Sequence, residues 1–164
     1  MMKEIVDRGH SIGIHTMSHV YERIYASPEA YFADLLGMQD VIYRNTGVKT
    51  TLMRFPGGSS NTVSAHSYVG LMSLLTRAVQ DAGFQYFDWN VDSNDAGGAK
   101  KAQTVFANVT AGVSQNRVSV VLQHDIHDFS VDAVEDIIVW GLNNGYSFER
   151  LTETSPGVHH GVLN

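Results

Sequence analysis

The chain has 164 residues, 43% of them hydrophobic and 17% charged, which fits one globular domain with enough length for a sizeable core. A formal net charge of −6, without any long run of lysine and arginine, argues against a nucleic-acid-binding protein, and no apolar run is long enough to span a membrane. Because cysteine is absent, disulfides and zinc–thiolate sites are excluded, and imidazole and carboxylate groups are the available transition-metal ligands. The eight histidines are therefore the first residues to consider.

Hydrophobic periodicity predicts helices and strands that alternate along the chain. Helices are predicted over residues 1–9, 27–47, 64–83, 102–115 and 130–145. Strands are predicted over residues 10–16, 50–53, 84–92, 117–125 and 146–151. This alternation is typical of an α/β fold with a parallel sheet and crossover helices, either a barrel or a doubly wound sheet. We expect one domain over residues 1–152 and a polar tail over residues 153–164.

Polar residues able to do chemistry fall where the predicted strands end. They are His15, Thr16 and His19 after the first strand, Arg54 to Gly58 after the second, Asp92 to Asp95 after the third, and His124 with Asp125 after the fourth. In α/β folds the loops at the C-terminal edge of the sheet converge and build the site, so we expect these clusters to act together.

The segment HTMSH, residues 15–19, places two histidines at an i, i+4 spacing. On a helical turn this spacing separates Cβ atoms by about 5–6 Å, which suits two imidazole nitrogens on one zinc ion. A capped turn with surface histidines is the alternative. A site with two histidines also needs a third protein ligand, usually a carboxylate, and the strand-end candidates are Asp92, Asp95 and Asp125.

The other clusters each have a structural alternative. RFPGG, residues 54–58, offers an arginine and backbone N–H groups to a ligand, or it is a strand-ending turn. WNVDSND, residues 89–95, holds two carboxylates beside a tryptophan, or it is a polar Asx turn. In VVLQHDIH, residues 120–127, His124 is a general acid or base, or a buried structural histidine. Surface or supporting positions are expected for His10, His66, His127, His159 and His160.

Taken together and in this order, the segments resemble the polysaccharide deacetylases of the nodulation-deacetylase homology class, metal-dependent carbohydrate esterases with a distorted (β/α) barrel. HTMSH resembles the family's H-[ST]-x-x-H motif, which implies that His15 and His19 bind Zn²⁺, or Co²⁺ or another divalent metal, and that Thr16 supports the loop. RFPGG resembles the R-x-P-x-G motif, which implies that Arg54 orients a catalytic carboxylate and that the Gly57 N–H faces the oxyanion. Many members have a tyrosine at position 57, so glycine implies a more open wall.

The segment DSND is similar to the family's D-x-x-D motif. This similarity implies that Asp95 pairs with Arg54 and acts in catalysis, and that Asp92 and Trp89 belong to the substrate-binding region. Relatives often have a tryptophan after this motif, whereas this chain has Ala96, which implies that one pocket wall differs from theirs.

The segment LQHD resembles the L-x-H motif, which implies that Leu122 lines the pocket for the acetyl methyl group and that His124 is the general acid. The family's first motif, T-F-D-D-G, supplies the catalytic base and a carboxylate metal ligand, and it has no counterpart in the chain. A βαβ unit takes at least about 30 residues, and fourteen residues precede His15. We therefore expect an N-terminally truncated domain that lacks the first strand-helix-strand unit, with a degenerate homologue as the alternative. In either case we expect the chain by itself to be catalytically poor or inactive.

The resemblance implies a hydrolase that releases acetate from an N-acetylglucosamine-containing polysaccharide. Peptidoglycan is the first choice of acetylated glycan, and chitin oligomers and O-acetylated xylan follow. An extracellular or cell-surface location is expected, with a signal or anchor upstream of Met1. Two other functions stay open, a non-catalytic glycan-binding pseudoenzyme and a small amide or imide hydrolase of the same superfamily.

Overall fold

The computed structural model describes residues 1–164 and divides them into two units. The first unit contains residues 1–88 and 150–164, and the second contains residues 89–149. The predicted boundary between residues 152 and 153 stays a prediction. No helix in the chain combines the length and the apolar character that a membrane crossing requires.

The first unit consists of helices around a small parallel sheet. Its elements in chain order are α1 (Met2–Asp7), α2 (Tyr21–Ile24), α3 (Pro28–Thr46), β1 (Leu52–Met53), a 3₁₀ turn (Val63–His66), α4 (Leu71–Asp81) and β2 (Gln85–Tyr86). Strands β1 and β2 are parallel, with Leu52 opposite Gln85. The predicted strand over residues 10–16 is reduced to one parallel bridge between Ile14 and Met53. The strand ends there because the backbone turns into the left-handed region at Thr16, where φ is +66°.

Helix α3 follows the prediction closely because both of its ends are specified locally. The Ser27 hydroxyl accepts a hydrogen bond from the Ala30 N–H, and Pro28 occupies the first helical position. Gly47 ends the helix with a φ of +76°, a conformation that costs glycine little. The buried face of α3 packs into a core with α4 and β1 that contains Tyr31, Leu35, Phe55, Leu71 and Leu75.

Two of the predicted elements are interrupted in the structure. The helix predicted over residues 64–83 is interrupted at Gly70, where φ is +82°, and only α4 continues to Asp81. The strand predicted over residues 84–92 is divided into β2 and a second short strand after Asp88. Both differences have one cause. Hydrophobic periodicity and composition predicted one continuous element across a point where the backbone changes direction.

The second unit contains the remaining helices and a second parallel pair of strands. Its elements are β3 (Val91–Asp92), α5 (Ala102–Val113), β4 (Val121–Leu122), α6 (Asp128–Val131) and α7 (Val134–Asn143). Val91 is opposite Val121, and the core is formed by Val105, Val109, Ala133 and Ile137. The helix predicted over residues 130–145 is divided between α6 and α7, and the strand predicted over residues 146–151 was wrong. The Tyr146 N–H instead donates to the Gly141 carbonyl and completes the end of α7.

Candidate active site

The histidine pair lies on a tight loop and not on a helical turn. His19, like Thr16, has a positive φ, of +51°, and the His19 N–H donates to the Thr16 hydroxyl at 3.2 Å. The two imidazole rings nevertheless meet, with centroids of His15 and His19 5.1 Å apart in an edge-on arrangement. The two side chains that the spacing argument paired are therefore adjacent, but left-handed backbone and not a helical turn brings them together.

A carboxylate that the sequence analysis did not single out fixes this loop. Asp34 on α3 accepts hydrogen bonds from the Met17 N–H at 2.6 Å, the Ser18 N–H at 3.1 Å and the Ser18 hydroxyl at 2.8 Å. Charge-assisted hydrogen bonds are stronger than neutral ones, so this set holds the segment between the histidines on the helix. The residues of α3 gave no local signal for this role, because the partners lie sixteen or seventeen positions away.

The orientation of His15 suits a metal ligand. Its Nδ1 lies 2.9 Å from the Arg54 carbonyl oxygen, and because a carbonyl only accepts, Nδ1 carries the proton. The lone pair of the neutral ring is then on Nε2. Metal-binding histidines are commonly held in this way, with one ring nitrogen donating to a carbonyl and the other facing the metal.

The residues fit a divalent metal in part. Two adjacent imidazoles, one partly buried and one exposed, are present on a fixed loop. The structure contains no group of three or more histidine, cysteine, aspartate or glutamate side chains that could hold a metal ion. His15 and His19 would supply two ligands of such a site, and their binding of a metal stays a prediction.

The loop that follows β1 carries the predicted oxyanion donor, and we call residues 55–61 the groove loop. Its backbone is fixed by the buried Tyr25 hydroxyl, which donates to the Pro56 carbonyl at 2.7 Å, and by the Asn61 side-chain amide, which donates to the Gly58 carbonyl at 2.8 Å. Gly57 is exposed, and no hydrogen bond within the protein uses its N–H. A fixed and unused N–H group is what an oxyanion donor requires.

Two features of the structure favour glycine at position 57. Its φ is +76°, and a Cβ atom would lie 3.1 Å from the Tyr21 hydroxyl oxygen and 3.2 Å from the Asn61 Cβ. The expectation of a more open wall is thus modified by Tyr21, whose phenol occupies the space beside the glycine. Tyr21 also contacts the His19 ring edge-on, with centroids 5.6 Å apart.

Arg54 is partly buried at the start of this region. Burial lowers the pKa of its guanidinium group, and the negative charge of Asp88 opposes that shift. Arg54 and Asp88 belong to the first unit, whereas Asp95 belongs to the second. The pairing of Arg54 with Asp95 stays a prediction.

In the second unit the structure brings His124 and Asp95 together. The Asp95 side chain is completely buried, and its carboxylate accepts from His124 Nδ1 at 2.7 Å and from the His124 N–H at 2.6 Å. The Ser130 hydroxyl on α6 donates to the same carboxylate at 2.6 Å and was not found by the sequence analysis. The ring of His124 is partly exposed, and with Nδ1 held by the carboxylate, its Nε2 is the nitrogen available for proton transfer.

The hydrogen bonds decide the ionisation of Asp95. Burial alone would raise the pKa of its carboxyl group, but hydrogen bonds from Ser130, from the ring and N–H of His124 and from Ser93 outweigh burial. The pKa is therefore held below its usual range, and Asp95 is ionised at neutral pH.

The other predicted substrate-binding residues of the second unit lie near this cluster in sequence. Leu122 is buried in β4, Asp92 is exposed and accepts the Asn94 N–H at 2.7 Å, and Trp89 is partly buried. Asp125 is exposed. Their roles in substrate binding stay predictions.

Comparison with known proteins gives one consistent answer. The family model described as polysaccharide deacetylase matches residues 1–72. The peptidoglycan-N-acetylglucosamine deacetylase of Bacillus cereus is 33% identical over 156 residues, which are 90% of this chain and 52% of that protein. The chain spans about half the length of the curated relatives it matches.

Two solved structures are similar over the length of the chain. The catalytic domain of peptidoglycan N-acetylglucosamine deacetylase from Eubacterium rectale is 49% identical with a TM-score of 0.98, covering 100% of this chain and 75% of that one. A polysaccharide deacetylase from Bacillus cereus is 30% identical with a TM-score of 0.74, covering 98% and 74% of the two chains. These similarities confirm the predicted α/β fold of the deacetylase type. Because the motifs, the backbone and the identity to a solved catalytic domain agree, the chain belongs to the polysaccharide deacetylase family.

Proposed function

We propose that this protein takes part in the metal-dependent de-N-acetylation of an N-acetylglucosamine-containing polysaccharide, with peptidoglycan as the substrate and acetate as a product. The observation that carries the proposal is the paired imidazoles of His15 and His19, with His15 Nδ1 held by the Arg54 carbonyl. Similarity to proteins named peptidoglycan N-acetylglucosamine deacetylases supports this choice of glycan. Those relatives also support the extracellular or cell-surface location that the substrate would require.

His15 and His19 would hold the metal, Zn²⁺ by preference, since two imidazoles without thiolates suit that ion. When bound, such an ion lowers the pKa of a water ligand and polarises a carbonyl oxygen. The chain's own residues supply the remaining functions. In amide hydrolysis water adds to the acetyl carbonyl carbon, the C–N bond breaks, and the amine leaves with a proton.

Two groups of the chain fit these needs. The Gly57 N–H, fixed by the groove loop and without an acceptor in the protein, would donate to the developing oxyanion. His124 would give the proton on Nε2 to the leaving amine, while Asp95 holds the ring in place through Nδ1. The chain contains no T-F-D-D-G motif, so the water-activating carboxylate is not assigned to any of its residues.

A glycan-binding protein without catalysis is the second candidate. The absence of a third metal-ligating side chain beside the histidine pair favours it. A single experiment separates the candidates: the purified chain, supplied with Zn²⁺ or Co²⁺, is incubated with N-acetylglucosamine oligomers and with peptidoglycan, and acetate release and binding are both measured.

Acetate release that is lost in His15→Ala supports the deacetylase. Saturable glycan binding without acetate release supports the binding protein. Including small cyclic imides in the same screen tests the amide-hydrolase alternative, which predicts turnover of the imides and none of the oligomers.

A further inference from the structure

Asp88 is a buried carboxylate that the proposed mechanism does not use. Only 1% of its surface is exposed, and it lies two residues after the end of β2. One carboxylate oxygen accepts the Ser59 N–H at 2.8 Å, and the other accepts the Ser59 hydroxyl and the His160 N–H, the latter at 2.8 Å. A buried charge needs such donors, because it would otherwise carry a large desolvation cost. Asp88 thus ties the groove loop, through Ser59, to the end of the chain.

The last seven residues, 158–164, form a segment that we call the C-terminal strap. Its first part lies along the end of β2: the Asp88 N–H donates to the Val158 carbonyl at 2.7 Å. The His159 ring stacks on Tyr86 with centroids 3.9 Å apart. His160 Nδ1 lies 3.1 Å from the Ser60 hydroxyl, in the groove loop itself. The strap therefore contacts both Asp88 and the loop that Asp88 holds.

The far end of the strap contacts the segment that continues from the groove loop into α4. The Asn164 side chain accepts the Gly70 N–H at 2.7 Å and donates to the Ser64 hydroxyl at 2.8 Å. The Asn164 carbonyl accepts the Ser73 N–H at 2.7 Å. Contacts at both ends make the strap a brace for residues 59–73.

Three features connect this brace with the proposed chemistry. Ser59 is two residues from Gly57, the predicted oxyanion donor, and Gly57 and Gly58 both have the positive φ values of +76° and +77°. Glycine pairs are flexible unless the flanking residues are held, so the direction of the Gly57 N–H depends on Ser59 on one side and on Pro56 on the other. The charge of Asp88 also acts on Arg54.

We propose that Asp88 is a positioning residue for the groove loop, acting with the C-terminal strap to hold the Gly57 N–H in the direction that oxyanion binding requires. The catalytic consequence rests on the proposed function. The structural part of the proposal is that Asp88 and the strap fix the groove loop locally. It rests on the hydrogen bonds within the first unit.

The test compares Asp88→Asn with Asp81→Asn. Asp81 is an exposed carboxylate at the end of α4 in the same unit, so the two variants make the same chemical change in different settings. Hydrogen–deuterium exchange of the Gly58 and Ser59 amides is measured in the full chain, with the α3 amides as an internal reference. Asn lacks the charge and turns an NH₂ group toward at least one donor, so we expect exchange at Ser59 to accelerate about tenfold or more in Asp88→Asn.

A comparison of kcat with KM and Zn²⁺ affinity distinguishes a positioning role of Asp88 from a general structural role. In Asp88→Asn we expect Zn²⁺ affinity at the histidine pair to stay unchanged. Where acetate release is measurable, we expect kcat to fall about tenfold or more and KM to change less than about threefold. A chain lacking residues 158–164 should show the same pattern. Asp81→Asn should match the unmodified chain in every measurement.

The outcomes are distinguishable. Unchanged exchange at Ser59, or equal acceleration at Ser59 and in α3, would overturn the proposal, since the first denies the contact and the second indicates general destabilisation. If Asp88→Asn does not fold, Ser59→Ala removes one hydroxyl donor and should accelerate Gly58 and Ser59 exchange by about threefold, and no acceleration there would also overturn it. The exchange comparison decides the role of Asp88 whether or not the chain releases acetate, so failure of the proposed function and failure of this proposal are separate results.

Discussion

Replacement of Asp95 by asparagine should destabilise the second unit strongly. The Asp95 carboxylate is completely buried and accepts hydrogen bonds from the ring and N–H of His124 and from the Ser130 hydroxyl. Asparagine keeps one carbonyl oxygen, so at least one of these donors loses its acceptor and the others lose a charged partner. The amide NH₂ group also faces a donor that it cannot satisfy.

The magnitude follows from the number and kind of hydrogen bonds. A hydrogen bond to a charged group contributes about 1.5–3 kcal/mol to stability, and an unsatisfied buried donor costs about 1–3 kcal/mol. Removing the charge offsets part of this loss, because a buried carboxylate carries a desolvation cost. We therefore expect Asp95→Asn to lower the free energy of unfolding at pH 7 by about 2–4 kcal/mol. Asp92→Asn is the matched control, since Asp92 is exposed and should change stability by less than about 0.5 kcal/mol.

Urea denaturation followed by tryptophan fluorescence measures the effect where it arises. Both tryptophans of the chain, Trp89 and Trp140, belong to the second unit, as Asp95 does. Equal free energies of unfolding for Asp95→Asn and the Asp92→Asn control would refute the reasoning, because the hydrogen bonds would then contribute nothing net.

The loss of stability in Asp95→Asn should depend on pH. The pKa of Asp95 in the folded chain lies below its ordinary value of about 3.9. The carboxylate therefore contributes its full stability above that ordinary pKa, and the contribution is lost as the pH falls through the folded-state pKa. The difference between the unmodified chain and Asp95→Asn should therefore narrow as the pH falls below about 4. A difference that stayed constant into strong acid would show that the charge is not the cause.

Three further outcomes are expected. His15→Ala should lower Zn²⁺ affinity at least about a hundredfold by isothermal titration calorimetry, while His66→Ala, at an exposed position, leaves it unchanged; equal affinities would place the metal elsewhere. Gly57→Ala should lower the free energy of unfolding in urea by about 1–2 kcal/mol more than Gly47→Ala. Both glycines have a φ of +76°, but only at position 57 would a Cβ lie in close contact with neighbouring atoms, and equal losses would contradict this steric argument. Where acetate release from N-acetylglucosamine oligomers is measurable, His124→Ala should slow it by about 10²–10⁴-fold and spare activated aryl acetates, whose leaving group needs no proton; equal slowing would exclude a general acid.

The elements predicted best are those whose ends are specified by neighbouring residues. Helix α3 has its cap, its proline and its terminal glycine within the sequence that it spans, so local signals were sufficient. The strand over residues 10–16 had the right alternation, but its length depends on a partner, and only Ile14 meets one. The predicted strand over residues 146–151 failed for the same reason, since alternation does not reveal whether a neighbouring strand is available.

In the candidate site, too, features set by neighbouring residues were predicted, and contacts between distant residues were not. The spacing of His15 and His19 was visible in the sequence, and their rings do meet. Asp95 was singled out from the sequence, but its hydrogen-bond partners and the other residues that hold the functional groups were not predicted. Each of these hydrogen bonds joins positions far apart: 16 or 17 for Asp34, 29 for Asp88 with Ser59, and 35 for Asp95 with Ser130. From the sequence alone, an isolated aspartate is expected to be exposed to solvent. Only the folded structure shows which aspartates are buried.

Three aspartates share a single structural role in this chain. Asp34 accepts the N–H and hydroxyl of Ser18, Asp88 accepts the N–H and hydroxyl of Ser59, and Asp95 accepts a main-chain N–H and a serine hydroxyl. Each therefore fixes a short irregular segment next to a predicted functional group, respectively the histidine pair, the oxyanion donor and the general acid. Loops lack the repeating hydrogen bonds of helices and strands, and a carboxylate with several acceptor sites can replace them with few residues. Since this arrangement costs stability whenever a donor is lost, changes at these aspartates should affect loop order first, which is why exchange measurements on single loops are more informative than global unfolding alone.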